Sequence, residues 1–181
     1  MGNVRLHFSM SLDGFVAAPD NGFGWLAHTT DRPGLVSGYA ERTGAILGGR
    51  KGWDQFPDPS TAYGGQFAGK LFILTRHPED ATPADGVTFL TCDVAEAVRI
   101  GLEAADGKDL EVFSPTIGRQ LIERGLLDEI ALHIAPVLLG DGVRFYDNPG
   151  GVPIHLHRLD TADPHSEVDV RYRPVRETIS P

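Results

Sequence analysis

The sequence holds a single cysteine, Cys92, in 181 residues. An internal disulfide is therefore impossible, a cysteine-rich zinc site is excluded, and a reducing, cytoplasmic setting is the natural expectation. Positive charge is also scarce. Lys and Arg number 16 against 25 Asp and Glu, for a formal net charge of −9. Such a chain is a poor general binder of nucleic-acid phosphates or anionic membranes, so neither is expected as a partner. Any anion it binds must meet a local basic cluster. Long apolar runs are missing: residues 1–10 hold none fit for a signal peptide, and no stretch could span a bilayer. Leu6 stands where a myristoylation signal needs Ser or Thr. Repeats, linkers and composition breaks are absent too, which predicts one domain over residues 1–181. A chain of this length buries roughly 70% of its unfolded surface and needs no metal staple.

Several catalytic signatures are missing as well. No Gly-x-Ser-x-Gly elbow surrounds Ser9, Ser11 or Ser114, which argues against a serine hydrolase. Gly64 to Lys70 resembles a phosphate-binding loop, but Leu71 follows where Mg²⁺ needs Ser or Thr, and the lysine opens a strand. His155 and His157 lack a third ligand at metal spacing, so no metal is expected. His133, inside an apolar strand, reads as a structural histidine.

Glycine, in contrast, is abundant, with 22 residues placed at the ends of apolar runs. The pattern predicts strands at Val4–Met10, 45–48, Lys70–Thr75, Val87–Thr91, Leu110–Phe113 and Glu129–Ala135, the last extending through 137–139 past Pro136. Helices are predicted from Asp31 to a stop at Gly44, over Arg50–Phe56, from an Asp93/Glu96 capping box to Ala105, and from Ser114-Pro115 to Gly125. Two late strands near Val152–His157 and Glu167–Tyr172 complete the chain. Residues 14–30 and 57–69 read as long loops, the kind that carry function. Strands alternating with helices, followed by a helix-poor end, predict an α/β fold of three layers. Its central sheet is mostly parallel, with antiparallel C-terminal strands.

Ligands of an open α/β sheet bind at the C-terminal ends of its strands. Three turns there suit an anion. Gly49, Arg50 and Lys51 follow the second strand, Thr75 and Arg76 the third, and Ser114, Thr116, Ile117 and Gly118 open a capped helix. Three such turns in an acidic chain fit a phosphate-rich ligand such as a dinucleotide.

The ordered motifs resemble a known superfamily. Ser11-Leu12-Asp13-Gly14-Phe15-Val16-Ala17, Gly49-Arg50-Lys51-Gly52-Trp53 and Gly125 through Gly142 are similar to dihydrofolate reductase-like proteins. The nearest branch is the reductase domain of riboflavin-biosynthesis deaminase/reductases and its stand-alone relatives. The resemblance spans about Val4 to Val175. It implies an NADPH-dependent reductase that passes a hydride to a C=N or C=O bond of a small substrate. The adenosine-phosphate end of NADPH would lie at Arg50, Lys51, Thr75 and Arg76, the pyrophosphate near Ser114 to Gly118, and the nicotinamide beside Ser11 to Val16. It makes Asp31 and Asp13 candidate proton donors and Trp25 a site residue, although Asp31 reads equally as a helix N-cap. It also implies a homodimer. Two features depart from the family pattern. Ser114-Pro115 stands where relatives carry Gly-Gly, and Val112 stands at an acidic position; the deaminase half is not read in these residues. The alternatives are reduction of 5-amino-6-(5-phosphoribosylamino)uracil and nucleotide binding without turnover.

Overall fold

The computed structural model describes residues 2–27, 34–159 and 169–174. Ten strands and four α-helices occur in them: β1 (Val4–Ser11), β2 (Phe15–Ala17), α1 (Leu35–Arg42), β3 (Thr43–Gly49), α2 (Arg50–Gln55), β4 (Lys70–Leu74), β5 (Val87–Leu90), α3 (Val94–Ala104), β6 (Asp109–Phe113), α4 (Pro115–Glu123), β7 (Glu129–Ala135), β8 (Val143–Arg144), β9 (Leu156–Arg158) and β10 (Asp169–Pro174). Eight strands form one sheet in the order β5-β4-β3-β6-β1-β7-β10-β9. Neighbours from β5 to β7 are parallel, and β10 and β9 are added antiparallel. The mostly parallel sheet with an antiparallel end is the expected fold class.

Alternation along the strands gives the sheet two unlike faces. Val4 and Leu6 of β1, Leu110 and Val112 of β6, Leu47 of β3 and Ile130 of β7 lie in one apolar core with Ala97 and Val98 of α3 and Ile117 and Leu121 of α4. Burying each large aliphatic side chain there stabilises the fold by about 1.5–3 kcal/mol. The helices lie close. A Cβ on Gly118 would stand 2.6 Å from a Leu6 methyl, and one on Gly101 2.6 Å from Leu110. Val112 also belongs to this core. Arg5, His7, Glu111, Glu129 and His133 occupy the alternate positions of the same strands and form the other face.

Caps set the helix ends. Ser114 Oγ accepts from Ile117 N at 3.3 Å with Pro115 at the first helical position, as its sequence predicts. Asp93 caps α3 by accepting from Ala95 N at 2.9 Å. Glu96 does not complete a capping box, because Arg99 takes up its carboxylate at 2.9 Å.

Some boundaries differ from the sequence reading. Gly44 does not stop α1, which ends at Arg42 and runs straight into β3. The glycine is needed because a Cβ there would lie 2.2 Å from the Ala105 carbonyl oxygen. Residues 137–139 do not extend β7. They form a turn pinned on Asp13, which accepts from Leu139 N at 3.1 Å and Gly140 N at 2.7 Å. Two short strands, β2 and β8, pair where loops are predicted. Among the described residues, no helix is long and apolar enough to cross a membrane.

Candidate active site

A cavity of about 440 Å³ opens on the charged face of the sheet. Its floor is His7, Gly48, Gly49, Phe113 and His133, from the C-terminal parts of β1, β3, β6 and β7. Its walls are Tyr39 of α1, Trp53 of α2, Phe23 and Leu26, and residues 56–64. Mostly aromatic and aliphatic walls around a few polar groups are the usual make-up of a small-molecule site.

Behind the floor lies a buried ionic chain. Arg5 and Glu111 are both fully buried, and Arg5 Nε donates to Glu111 Oε2 at 2.9 Å. Arg5 Nη1 reaches Asp109 at 2.8 Å, and Nη2 reaches the Thr43 hydroxyl at 3.3 Å. Burial alone would drive the guanidinium pKa down, but the hydrogen bonds and charge of Glu111 outweigh it and raise it. Burial pushes Glu111 up, against the pull of Arg5, Tyr63 and Thr43. A guanidinium that keeps its proton and is sealed from water requires a carboxylate beside it, so the pair is ionic.

His7 joins this chain to the cavity. Its Nδ1 lies 3.1 Å from the Tyr63 hydroxyl and 3.8 Å from Glu111. Its Nε2 lies 2.6 Å from His133 Nε2. The ring stacks on Tyr39 at 3.9 Å between centroids. Burial drives the His7 pKa well down, and His133, Arg5 and Arg42 add to the effect. Burial also raises the Tyr63 phenol, with the Glu111 charge acting the same way.

The residues singled out from sequence fall into separate groups. Gly49 and Ser114 are brought together at adjacent strand ends, and a Cβ on Gly49 would lie 2.9 Å from Ser114 Oγ. Ile117 N is used by the Ser114 cap, and Gly118 N donates to Ser114 O at 2.8 Å. Thr116 is exposed beside them. Arg50 is committed to its surroundings: its guanidinium donates to the His77 and Asp80 carbonyls at 2.7 and 2.5 Å and pairs with Asp54. Thr75 is buried, and its hydroxyl accepts from His77 N at 3.1 Å. Lys51 and Arg76 are exposed beyond it.

Asp13 accepts from Ser11 Oγ at 2.6 Å as well as from the two amides of the 137–140 turn. These bonds hold its pKa down to about 2. A carboxylate so held is ionised near neutral pH and is a poor proton donor. Trp25 lies in the turn Gly24–Leu26, and its Nε1 is buried without a hydrogen-bond partner among the described residues. Asp31 lies outside the described residues.

Sequence reasoning missed Arg5, His7, Glu111 and Tyr63 and read His133 as structural. The available signal was charge or imidazole at the alternate positions 5, 7, 111 and 133 of strands whose other positions are aliphatic.

The match to known families rests on nearly the whole chain. Residues 3–164 match the RibD C-terminal domain. The chain belongs to this family. RibD C-terminal domains are reductase-type domains of a dihydrofolate reductase-like fold, generally dependent on NAD(P)H. No curated protein matches. Solved structures do. A putative riboflavin biosynthesis protein from Shewanella sp. PV-4 superposes with a TM-score of 0.73 at 20% identity, covering 96% of this chain and 99% of that one. A deaminase/5-amino-6-(5-phosphoribosylamino)uracil reductase from Thermotoga maritima gives 0.70 at 16% identity, over 96% of this chain and 57% of that one. A pyrimidine reductase-like protein from Corynebacterium diphtheriae gives 0.62 at 13% identity, over 97% and 93%. At these identities the likeness establishes the fold.

Proposed function

We propose that this RibD C-terminal domain is an NADPH-dependent reductase of a small, unphosphorylated C=N or C=O acceptor. The observation that carries the reading is the cavity floored by Gly48, Gly49 and Phe113, where the turns after β3 and β6 meet. The residues there fit the dinucleotide. Gly49 carries no side chain where β3 meets Ser114, Thr116 offers an exposed hydroxyl at the start of α4, and Trp25, whose buried Nε1 has no hydrogen-bond partner among the described residues, stands between the cavity residues Phe23 and Leu26. Lys51 and Arg76 would meet the 2′-phosphate, while Arg50 fixes the turn that presents them. The bound cofactor supplies the hydride. The chain's own residues hold the acceptor between aromatic walls, exclude water and supply a proton.

The choice of substrate follows from charge. Among the described residues no Lys or Arg lines the cavity, and Asp58 does. A ribose phosphate such as that of 5-amino-6-(5-phosphoribosylamino)uracil would enter without a counter-ion, so an unphosphorylated planar acceptor fits better.

Calorimetry and NADPH oxidation across carbonyl, imine and pterin probes test the reading. Arg76→Ala is expected to weaken NADPH about tenfold and leave NADH unchanged, since only NADPH carries the extra phosphate. Thr116→Glu, which adds negative charge at the pyrophosphate turn, is expected to abolish binding of both. Normal NADPH binding by folded Thr116→Glu would move the cofactor elsewhere. Tight binding without oxidation of any probe would favour nucleotide binding without turnover. We further propose a homodimer, because β9 ends the sheet with Leu156 exposed. Sedimentation showing only a 19.6 kDa species would refute it.

A further inference from the structure

The candidate cavity runs from a polar floor to an apolar mouth. His7 at its floor is buried, whereas Phe23 and Phe56 are 46% and 45% exposed and line the same cavity. One of these phenylalanines precedes α1 and the other follows α2, yet their rings meet at 5.3 Å between centroids. Leu35 and Val36 at the start of α1, together with Ala62, are half-buried and keep the lining apolar. A single exposed phenylalanine is ordinary on a protein surface. Two that meet from separate segments at a cavity mouth leave apolar area in water that a ligand in that cavity would cover. Leu12, Leu138, Val152, Ile154 and Leu156 are also exposed, and none of them lines it.

We infer that Phe23 and Phe56 form a lip that binds an aryl or alkyl substituent of the acceptor and so set the specificity of the site; this rests on the reductase reading above. The substrate class is then a small imine or carbonyl compound with an apolar group beside its reducible bond. A sugar or an anion at that place does not fit.

The polar groups near the lip point the same way. Among the described residues, Asp58 is the one carboxylate that lines the cavity, and no Lys or Arg joins it. Its Oδ1 already accepts from Ser60 N at 2.9 Å and from Ser60 Oγ at 2.6 Å, and these bonds lower its pKa. An anionic substituent would meet that negative charge with no cation to offset it. A polyol would give up water against two rings that offer it no hydrogen bond. An apolar substituent loses no hydrogen bond there and covers both rings, and an aryl group adds offset or edge-to-face contacts.

A phenyl-substituted and a methyl-substituted pyrroline, both cyclic imines with the same C=N bond, test the lip. Calorimetry on the full chain, with and without NADP⁺, reads their binding without turnover. The phenyl imine is expected to bind at least about tenfold more tightly than the methyl imine. Phe23→Ala and Phe56→Ala should each remove most of that preference and leave the methyl imine within about twofold of wild type. Val152→Ala, at an exposed residue outside the cavity, should keep the preference whole. Equal binding of the two imines by wild-type protein would overturn the proposal, and that comparison needs no variant to fold. A preference that survives in both folded phenylalanine variants would overturn it too. Oxidation of NADPH with both imines at equal affinity sinks the lip alone. A phenyl preference that the variants lose, with no NADPH oxidation by either imine, sinks the reductase reading and leaves the lip as an apolar ligand site.

Discussion

The two faces of the central sheet are built from alternate residues of the same strands. Under α3 and α4 the strands offer Leu6, Leu110, Val112 and Ile130, and packing does the work. Under α1 and residues 56–64 they offer Arg5, His7, Glu111 and His133 around a cavity. One face contributes stability by removing apolar surface from water. The other places ionic groups where water is scarce, which gains little net stability but fixes their positions. The face that is costly to build is the one that holds the candidate site.

The largest expected effect breaks the charged face. Glu111→Leu leaves Arg5 buried without its main partner, and urea denaturation should show a loss of about 3–5 kcal/mol. Arg5→Met combined with Glu111→Leu should recover most of it, because an apolar pair leaves no stranded charge. If the single variant were as stable as the double, the ionic pair would not hold Arg5 in place.

Gly118→Ala acts on the opposite face. Its new methyl would meet Leu6 at 2.6 Å, and crowding of this kind costs about 1–3 kcal/mol. Cofactor binding should survive, since the Gly118 amide already serves Ser114. Ser114→Ala is smaller, about 1 kcal/mol for a lost cap. A larger fall in NADPH affinity than in stability would add a direct phosphate contact to its role.

The apolar face was largely legible from sequence. Leu110-Glu111-Val112 and Leu6 advertise strands, and Ser114-Pro115 and Gly125 advertise the ends of α4. Gly125 indeed has φ of +66° and donates to the Ile122 carbonyl, as a helix stop does. The polar face was not legible, for a physical reason. A charge at an alternate position of a strand ordinarily points to water, and only the register Arg5↔Glu111 turns two such charges into a buried pair. Gly44 misled for a similar reason: its glycine answers to the Ala105 carbonyl, 61 positions along the chain, rather than to its own helix. The turns after β3, β4 and β6 could be read because turn chemistry is local, but the commitment of Arg50 to the 77–80 loop is a long-range fact.

The His7 environment gives the comparison a pH axis. His7 has its pKa depressed in the folded protein by burial and by its charged neighbours, against 6.5 for the free side chain. Above that value both folded and unfolded states are neutral there, and His7 adds no pH dependence. Below it the unfolded chain binds a proton that folded His7 refuses, so stability declines as pH falls until the folded value is passed. His7→Asn should flatten the decline in melting temperature between pH 7 and pH 5 relative to wild type. An unchanged slope would mean that His7 is protonated in the folded state.

The smallest expected effect isolates what burial contributes to an ion pair. Arg99 on α3 pairs with Glu96 at 2.8 Å and Glu103 at 3.0 Å, distances as good as those of Arg5. Yet its side chain is 61% exposed, where that of Arg5 is 0%. Water and salt already solvate all three partners, so losing the pair leaves nothing stranded. Arg99→Gln should leave the urea midpoint where it is, in low and in high salt. A loss comparable to that of Glu111→Leu would mean that hydrogen-bond geometry, and not exclusion of water, sets the strength of the ionic chain behind the cavity.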